Sequence, residues 1–384
     1  MNAQSADVLI IGGGLMGASA AYFLRRRGVS VIVLERGLVG QQASGTNFGN
    51  ARRQARNLQQ LPLANRAYEI WKQLPQLIDD DLEFVQPGHI RVAYTEEQVG
   101  VLEKYARDTR EYGLHLQMIY GDEMRARYPF LGKEVRAASL SPDDGHANPR
   151  LAAPAFARAA IRIGAHIFEN TEVTELAKEG GEFRAGCSDG RVFRAPSMLV
   201  ASGAWGDTMS AQFGEPVPLV ARGPQLGVTE PMPYRIGPSI GVATPLLEET
   251  LYVRQIKRGN IIFGGCGRGP AHTDTRRAYV LPEHILTQFR QLARLLPPVA
   301  RLSVIRTWSG IEGYMPDSLP IMGPSAKVSG LYYAFGFSGH GFQIGPGVGD
   351  VMAELIATGS TSTPIEPFLI KRFMQAPAEQ VLAV

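Results

Sequence analysis

Gly12, Gly14 and Gly17 stand in the spacing G-x-G-x-x-G, and Glu35 follows 18 residues after the last of them. This set can hold a pyrophosphate and a ribose. Gly12 permits a tight turn, Gly14 lets a pyrophosphate reach the backbone, and Gly17 lets a helix lie close on a strand. Leu15 and Met16 fall where that helix opens, at the positive end that favours phosphate. Glu35, followed by Arg36, can accept from a ribose hydroxyl. A second glycine cluster, GFSGHGFQIGPGVGD at 336–350, lies more than 300 residues after Gly17 and holds Gly339, His340, Gly341, Phe342 and Gln343. Other polar candidates are scattered: Arg52 and Arg53 in QQASGTNFGNARRQAR (41–56), Tyr252 and Arg254 in TLYVRQI, and Glu312 in WSGIEGYMPDS.

These residues act together only if regular elements place them. Asp7 to Ile11 is a short apolar run, as expected of a strand buried on both faces. Leu15, Ala18, Tyr22 and Phe23 then follow helical spacing, Arg25 to Arg27 suit a helix C-terminus, and Gly28 suits the residue after it. Val29 to Leu34 reads as a second strand. Strand, helix, strand and acid therefore occur in the order that dinucleotide binding requires. SMLVASGAWGD (197–207) reads as a buried strand ending in a small-residue turn, and RTWSGIEGYMPDSLPIMGPS (306–325) precedes a strand at Leu331 to Ala334. Pro346 suits a first helical turn, with Val348, Val351, Met352, Leu355 and Ile356 continuing the helix. Two segments break this pattern. One, 86–140, contains HIRVAY and a helix around 95–112. The other, 216–305, contains PQLGVT, TLYVRQI and NIIFGGCG, which alternate as in an antiparallel sheet, then a helix carrying Leu281, Ile285, Phe289, Leu292 and Leu296.

Composition narrows the function. The 384 residues are enough for two domains, and a net charge of +3 without a basic block argues against a nucleic-acid partner. No run of 18 apolar residues suggests an integral membrane segment. MNAQSAD lacks the regions of a secretory signal, so a cytoplasmic location is expected. Two cysteines, Cys187 and Cys266, cannot supply four ligands to an iron–sulfur cluster, and no metal site is expected.

Taken together, these motifs resemble the D-amino-acid oxidase superfamily of flavoproteins, which includes glycine oxidase, sarcosine oxidases and catalytic subunits of heteromeric amine dehydrogenases. FGGCG (263–267) and GFSGHGF (336–342) look especially like sarcosine oxidase. WSGIEGYMPDSLPIMGPS and AFGFSGHGFQIGPGVGD look more like the beta subunits of opine oxidases and D-hydroxyproline dehydrogenases. The resemblance covers most of the chain. It implies an α/β fold, with a Rossmann-like FAD-binding domain (1–85, 141–215 and 306–384) and an interleaved α+β substrate-binding domain built on an antiparallel sheet (86–140 and 216–305).

The resemblance also implies roles. Ala43, Ser44, Asn47, Gly49 and Asn50 would approach the pyrophosphate and flavin. Arg52 and Arg53 would come near the isoalloxazine or a substrate carboxylate. Val173, after a crossover helix at 151–163, would meet adenine through its backbone. Ala201, Ser202, Gly203 and Trp205 would form a second cofactor-facing turn. Gly310 and the cluster Gly339 to Gln343 would border the ring, with the following helix stabilising charge on it. Arg52, Tyr252, Arg254, Glu312 and His340 are the candidate catalytic set, and Arg222 and Arg268 are further candidate contacts.

Departures from the pattern carry information. GIEG places Glu312 where glycine oxidases carry the arginine of GLRP, and Gln343 replaces a sarcosine oxidase lysine. Glu312 could attract a cationic substrate arm. No cysteine lies beyond Cys266, which argues against FAD attached through a cysteine as in monomeric sarcosine oxidase. Arg268-Gly269 stands where those enzymes carry an oxygen-activating lysine, which favours a dehydrogenase. The expected reaction is oxidation of a secondary amino acid, an opine or a D-hydroxyproline- or proline-like molecule, to the imine by hydride transfer to flavin N5. The expected setting is the catalytic beta subunit of a hetero-oligomer whose partner subunits carry FAD and an iron–sulfur cluster. An FMN at a subunit interface is a further option. The alternatives are a stand-alone oxygen-using oxidase and a non-catalytic flavin electron-transfer subunit.

Overall fold

The computed structural model describes residues 4–374, so residues 1–3 and 375–384, the ends of the expected FAD-binding segments, lie outside the described residues. Val8–Ile11 and Val31–Leu34 are buried throughout, and they are adjacent strands inside a six-stranded sheet. Its order is Ile321–Pro324, Leu331–Phe335, Ser197–Val200, Val8–Ile11, Val31–Leu34, His166–Phe168. All neighbours are parallel except the antiparallel edge Ile321–Pro324. Residues one position beyond four adjacent strands, Gly12, Glu35, Ala201 and Gly336, therefore gather at one edge. In parallel α/β sheets the carboxyl ends of the strands are where ligands bind.

Helices cover this sheet. Leu15–Arg26 ends as expected: Arg25 and Arg26 fill its last turn, and Gly28 follows at φ +79°. Helix Pro149–Arg162 packs on it, joined through Tyr22, Phe23 and Phe156. The C-terminal helix differs from expectation. It spans Gly341–Thr358, so Pro346 is interior rather than in the first turn. The glycines around Pro346 are contact positions. A Cβ on Gly345 would lie 2.5 Å from the Leu15 side chain, and one on Gly349 would lie 2.2 Å from Ser19 Oγ. Two helices thus approach to near backbone contact. The Ser19 hydroxyl donates to the Gly345 carbonyl (3.1 Å).

The second large sheet has nine strands and mostly antiparallel pairing. One parallel junction, Ser239–Val242 against His89–Ala93, joins the two separated segments. Helix Pro282–Leu295 packs on it through Leu292 and Leu295. Two strands lie around the expected boundary at 306. Val304–Ser309 pairs with Val220–Pro231 as an edge strand, and Glu312–Tyr314 pairs with the start of that same long strand. The physical cause is length: Val220–Pro231 has 12 residues and can pair with both in succession. The expected helix at 95–112 is Glu96–Asp108, N-capped by Thr95, with a separate turn at Arg110–Tyr112. A four-stranded sheet that includes Val173–Glu179 completes the fold. No helix among the described residues is long and apolar enough to cross a membrane.

Candidate active site

A cavity of about 550 Å³ runs from the strand ends of the six-stranded sheet to the face of the nine-stranded sheet. At the first end, Gly12 adopts φ +109°, and a Cβ there would lie 2.5 Å from the Ala201 carbonyl oxygen. Gly17 admits the helix, since its Cβ would lie 2.0 Å from the Gly12 carbonyl oxygen. Glu35 accepts from the backbone N–H groups of Gly13 (2.7 Å) and Gly37 (2.8 Å), which fixes its carboxylate at the turn. Ser44 Oγ accepts from Leu15 N (2.8 Å). Arg36 stacks over Trp205 at 3.9 Å. The Ser202 hydroxyl is buried at this edge without a protein partner.

At the other end the cavity turns polar. Ser338 N–H donates to the Gly313 carbonyl (3.0 Å), and Ser338 Oγ accepts from Met315 N (2.9 Å). These bonds hold the strand Glu312–Tyr314 against the turn that starts the C-terminal helix. Tyr314 OH donates to Glu312 Oε2 (2.7 Å). Burial raises the Glu312 pKa, while the Tyr314 hydroxyl and the Arg268 charge oppose the rise. Burial also holds the Tyr252 and Tyr314 hydroxyls above their usual range, reinforced by the Glu312 carboxylate. Arg268 lies over the Tyr314 ring at 4.2 Å.

The opposite wall is cationic. Arg52, Arg56 and Arg91 line it, together with His89 and His340, whereas Arg268 sits beside Tyr314. Burial and the Arg52 charge lower the Arg56 pKa to about 9 and the Arg91 pKa to about 10. Burial and the surrounding arginines push both histidines well below their usual range, so both are neutral. His89 Nδ1 shares a hydrogen bond with Gln54 Oε1 (2.8 Å). His340 Nδ1 is buried without a partner, and its carbonyl accepts from Arg56 (2.9 Å). His340 is the N-cap of the C-terminal helix, so the first free N–H groups of that helix face the cavity from Gly341 onward.

Most residues singled out from the sequence converge here. Gly12, Gly14, Leu15, Met16, Glu35, Arg36, Ala43, Ser44, Asn47, Gly49 and Asn50 line one stretch. Val173, Ala201, Gly203 and Trp205 line the same end, and Arg52, Tyr252, Glu312, Gly339, His340, Gly341 and Phe342 line the other. Six are placed elsewhere. Gly17 and Gly310 act by close packing, and a Gly310 Cβ would lie 1.9 Å from Thr46 Oγ1. Gln343 points away from the cavity and donates to the Ala64 carbonyl (2.9 Å). Arg254 is spent on His146 Nδ1 and the Ala147 carbonyl, both at 3.0 Å. Arg53 pairs with Asp143 (3.2 Å) and Asp144 (3.5 Å). Arg222 is exposed and outside the lining. Arg56, His89, Arg91 and Tyr314 were not singled out. A signal existed for two of them, because His89 and Arg91 are two apart in HIRVAY and share one face of a strand.

Residues 7–355 match the family model described as FAD dependent oxidoreductase (DAO). The chain belongs to that family. This FAD-dependent oxidoreductase is 27% identical over 380 residues to glycine oxidase from Geobacillus kaustophilus (strain HTA426), covering 95% of this chain and 97% of that protein. It is 26% identical over 381 residues to sarcosine oxidase subunit beta from Arthrobacter sp, covering 96% and 91%. The crystal structure of L-proline dehydrogenase from P. horikoshii superposes with a TM-score of 0.90 at 28% identity, covering 97% of this chain and 99% of that one.

The residues present fit FAD. Gly12 and Gly14 leave a cradle at a helix N-terminus, Glu35 is anchored beside it, and the orphaned Ser202 hydroxyl and His340 Nδ1 face the same elongated cavity. Its volume lies within the range of about 300–1,000 Å³ usual for such sites.

Proposed function

We propose that this chain oxidises the carbon–nitrogen bond of a secondary amino acid to the imine, as the catalytic beta subunit of a heteromeric dehydrogenase. The substrate class is opine-like or D-hydroxyproline- or proline-like. The observation that carries the reading is the pairing of Glu312 with Tyr314 opposite an arginine wall, in the same cavity as the dinucleotide turn. The parallel-sheet segments are the FAD-binding domain, and the nine-stranded sheet is the substrate-binding domain.

Bound FAD supplies the two-electron acceptor for the hydride leaving the carbon beside nitrogen. Residues of the chain do the rest. An arginine of the wall holds the substrate carboxylate and so orients the carbon–hydrogen bond. Glu312, with raised proton affinity, takes the ammonium proton and leaves a neutral amine. Tyr252 and Tyr314 stay protonated and serve as hydroxyl donors. The N-terminus of Gly341–Thr358 favours negative charge developing in the cavity. Neither Cys187 nor Cys266 lines the cavity, which supports FAD held without a cysteine bond. Partner subunits carrying FAD and an iron–sulfur cluster would relay the electrons, a reading supported by the relative named sarcosine oxidase subunit beta. An FMN at a subunit interface belongs to the same reading.

Anaerobic titration of the purified yellow protein tests this. Secondary amino acids should bleach the flavin, and turnover should run with a dye and lag with oxygen. Rapid peroxide formation by the isolated chain would instead establish a stand-alone oxidase.

A further inference from the structure

His89 and Arg91 share one face of the strand His89–Ala93, and both line the polar end of the cavity. Ser139, on the neighbouring antiparallel strand, stands opposite Arg91 and so points to the same face. Gln54 lies over this face, in the loop after Asn50–Ala51, and is buried together with His89 and Ser139. Its backbone N–H donates to Asp144 Oδ2 (2.9 Å), which fixes the point from which its side chain starts.

The hydrogen bonds of Gln54 assign the proton on His89. Gln54 Nε2 donates to the Ser139 carbonyl (3.0 Å) and to Ser139 Oγ (2.9 Å). A carbonyl only accepts, so the amide has one orientation, with Oε1 toward His89 Nδ1 (2.8 Å). Oε1 also only accepts, so Nδ1 carries the hydrogen. Burial and the Arg52 and Arg91 charges keep the ring neutral, which leaves Nε2 as a bare acceptor. Among the described residues Nε2 has no protein donor. A Cβ on Gly241, itself a lining residue, would lie 3.4 Å from it, so the glycine leaves room beside this nitrogen. His340 differs, because its Nδ1 has no partner to fix the proton.

The guanidinium groups of Arg52, Arg56 and Arg91 are donors only. They suit a carboxylate, and among them His89 Nε2 is placed to receive a hydrogen. In an amino acid the nitrogen is bonded to the carbon that bears the carboxylate. A carboxylate held on this wall therefore brings the amine to the same wall. A secondary ammonium has two N–H groups. One leaves as the proton that Glu312 takes, and the other stays on nitrogen while the hydride departs. A neutral tertiary amine has none, and would leave the buried acceptor without a partner.

We infer that His89 is a specificity-determining residue whose Nε2 receives the remaining N–H of the substrate amine, so that amines with a hydrogen on nitrogen are accepted and tertiary amines are rejected. Gln54 is the positioning residue that keeps Nε2 bare. This rests on the reading of the cavity as an amine-oxidising site. No proton moves to His89. Its hydrogen bond fixes the direction of the nitrogen lone pair as the carbon–hydrogen bond breaks.

The test titrates the FAD-loaded protein with pyrrole-2-carboxylate and 2-furoate, read by flavin absorbance. The two rings match in shape and charge. One presents an N–H beside the carboxylate, and the other an oxygen lone pair. Pyrrole-2-carboxylate should bind at least about tenfold more tightly. His89→Asn keeps a donor for Gln54, since the asparagine amide takes the place of Nδ1, but it removes Nε2. It should retain FAD and bring the two ligands within about threefold of each other. Gln54→Met leaves His89 in place but frees its proton to move to Nε2, and should narrow the ratio in the same way. In the parent, 15N NMR of histidine-labelled protein should show His89 with Nδ1 protonated and Nε2 bare. A protonated Nε2 in the parent, equal binding of the two ligands, no binding of either, or an unchanged ratio in His89→Asn each overturns the inference. An unchanged ratio in Gln54→Met overturns the role of Gln54. If pyrrole-2-carboxylate is preferred through His89 and neither sarcosine nor proline bleaches the flavin anaerobically, the acceptor site stands and the oxidation reading falls. If either amine bleaches the flavin and the two rings bind equally, the reverse holds.

Discussion

Neighbouring residues of one type have opposite fates here, and the difference decides which of them do chemistry. Arg52 faces the cavity, whereas Arg53 turns back to Asp143 and Asp144. Glu312 is the residue whose chemistry depends most on its surroundings. Its proton affinity is raised, so flavin reduction should climb with pH as the carboxylate forms. Glu312→Gln should remove that limb and slow anaerobic reduction by about 10²–10⁴-fold at neutral pH in stopped-flow absorbance. The same shift has a stability sign. A folded-state pKa above the usual 4.5 weakens the fold once pH passes 4.5, because the unfolded chain then gives up the proton more readily. Glu312→Gln should therefore melt at a higher temperature than the parent at neutral pH, and the gap should close as pH falls toward 4.5. Glu312 itself was legible in the sequence, because it stands in a motif where an arginine was expected. Arg91 was not, because an arginine in an alternating strand looks the same whether its face meets solvent or a cavity. Arg254 shows the converse: a basic residue on a neighbouring strand is committed to His146 and Ala147 and lies outside the cavity lining.

At the scale of elements, the dinucleotide unit was legible because its glycines, helix and acid are local and ordered, and the structure places them within a residue or two of expectation. The start of the C-terminal helix was not. Glycine and proline disfavour helices intrinsically, so Gly341 to Gly345 reads as a loop before a helix that opens at Pro346. Packing overrides that preference, since Gly345 and Gly349 are where another helix touches. Gly345→Val should cost about 1–3 kcal/mol by overpacking against Leu15, seen as a lower melting temperature. Gly341→Leu acts differently. Its Cβ would lie 2.8 Å from Met16 and 3.0 Å from Phe337, at the helix end that faces the cavity. Gel filtration of that variant should yield colourless protein, and full flavin occupancy would refute the assignment of this cluster to the cofactor.

The strand ends of the six-stranded sheet meet the nine-stranded sheet across the cavity, and polar side chains tie the two parts together. Arg254 is one, running from the strand Leu251–Gln255 to the segment that leads into helix Pro149–Arg162, with Phe48 stacked at 5.3 Å. Arg254→Ala should cost about 2–3 kcal/mol, because it leaves buried acceptors without donors. It should also split the single calorimetric transition into two as the sheets lose their coupling. The assembly of the cavity has a temporal consequence too. One end of it is lined by Gly12 and Glu35 and the other by His340 to Phe342, more than 300 residues later. A ribosome must therefore make the chain through Phe342 before both ends of the pocket exist together, so tight cofactor retention should appear only in chains that extend past Phe342.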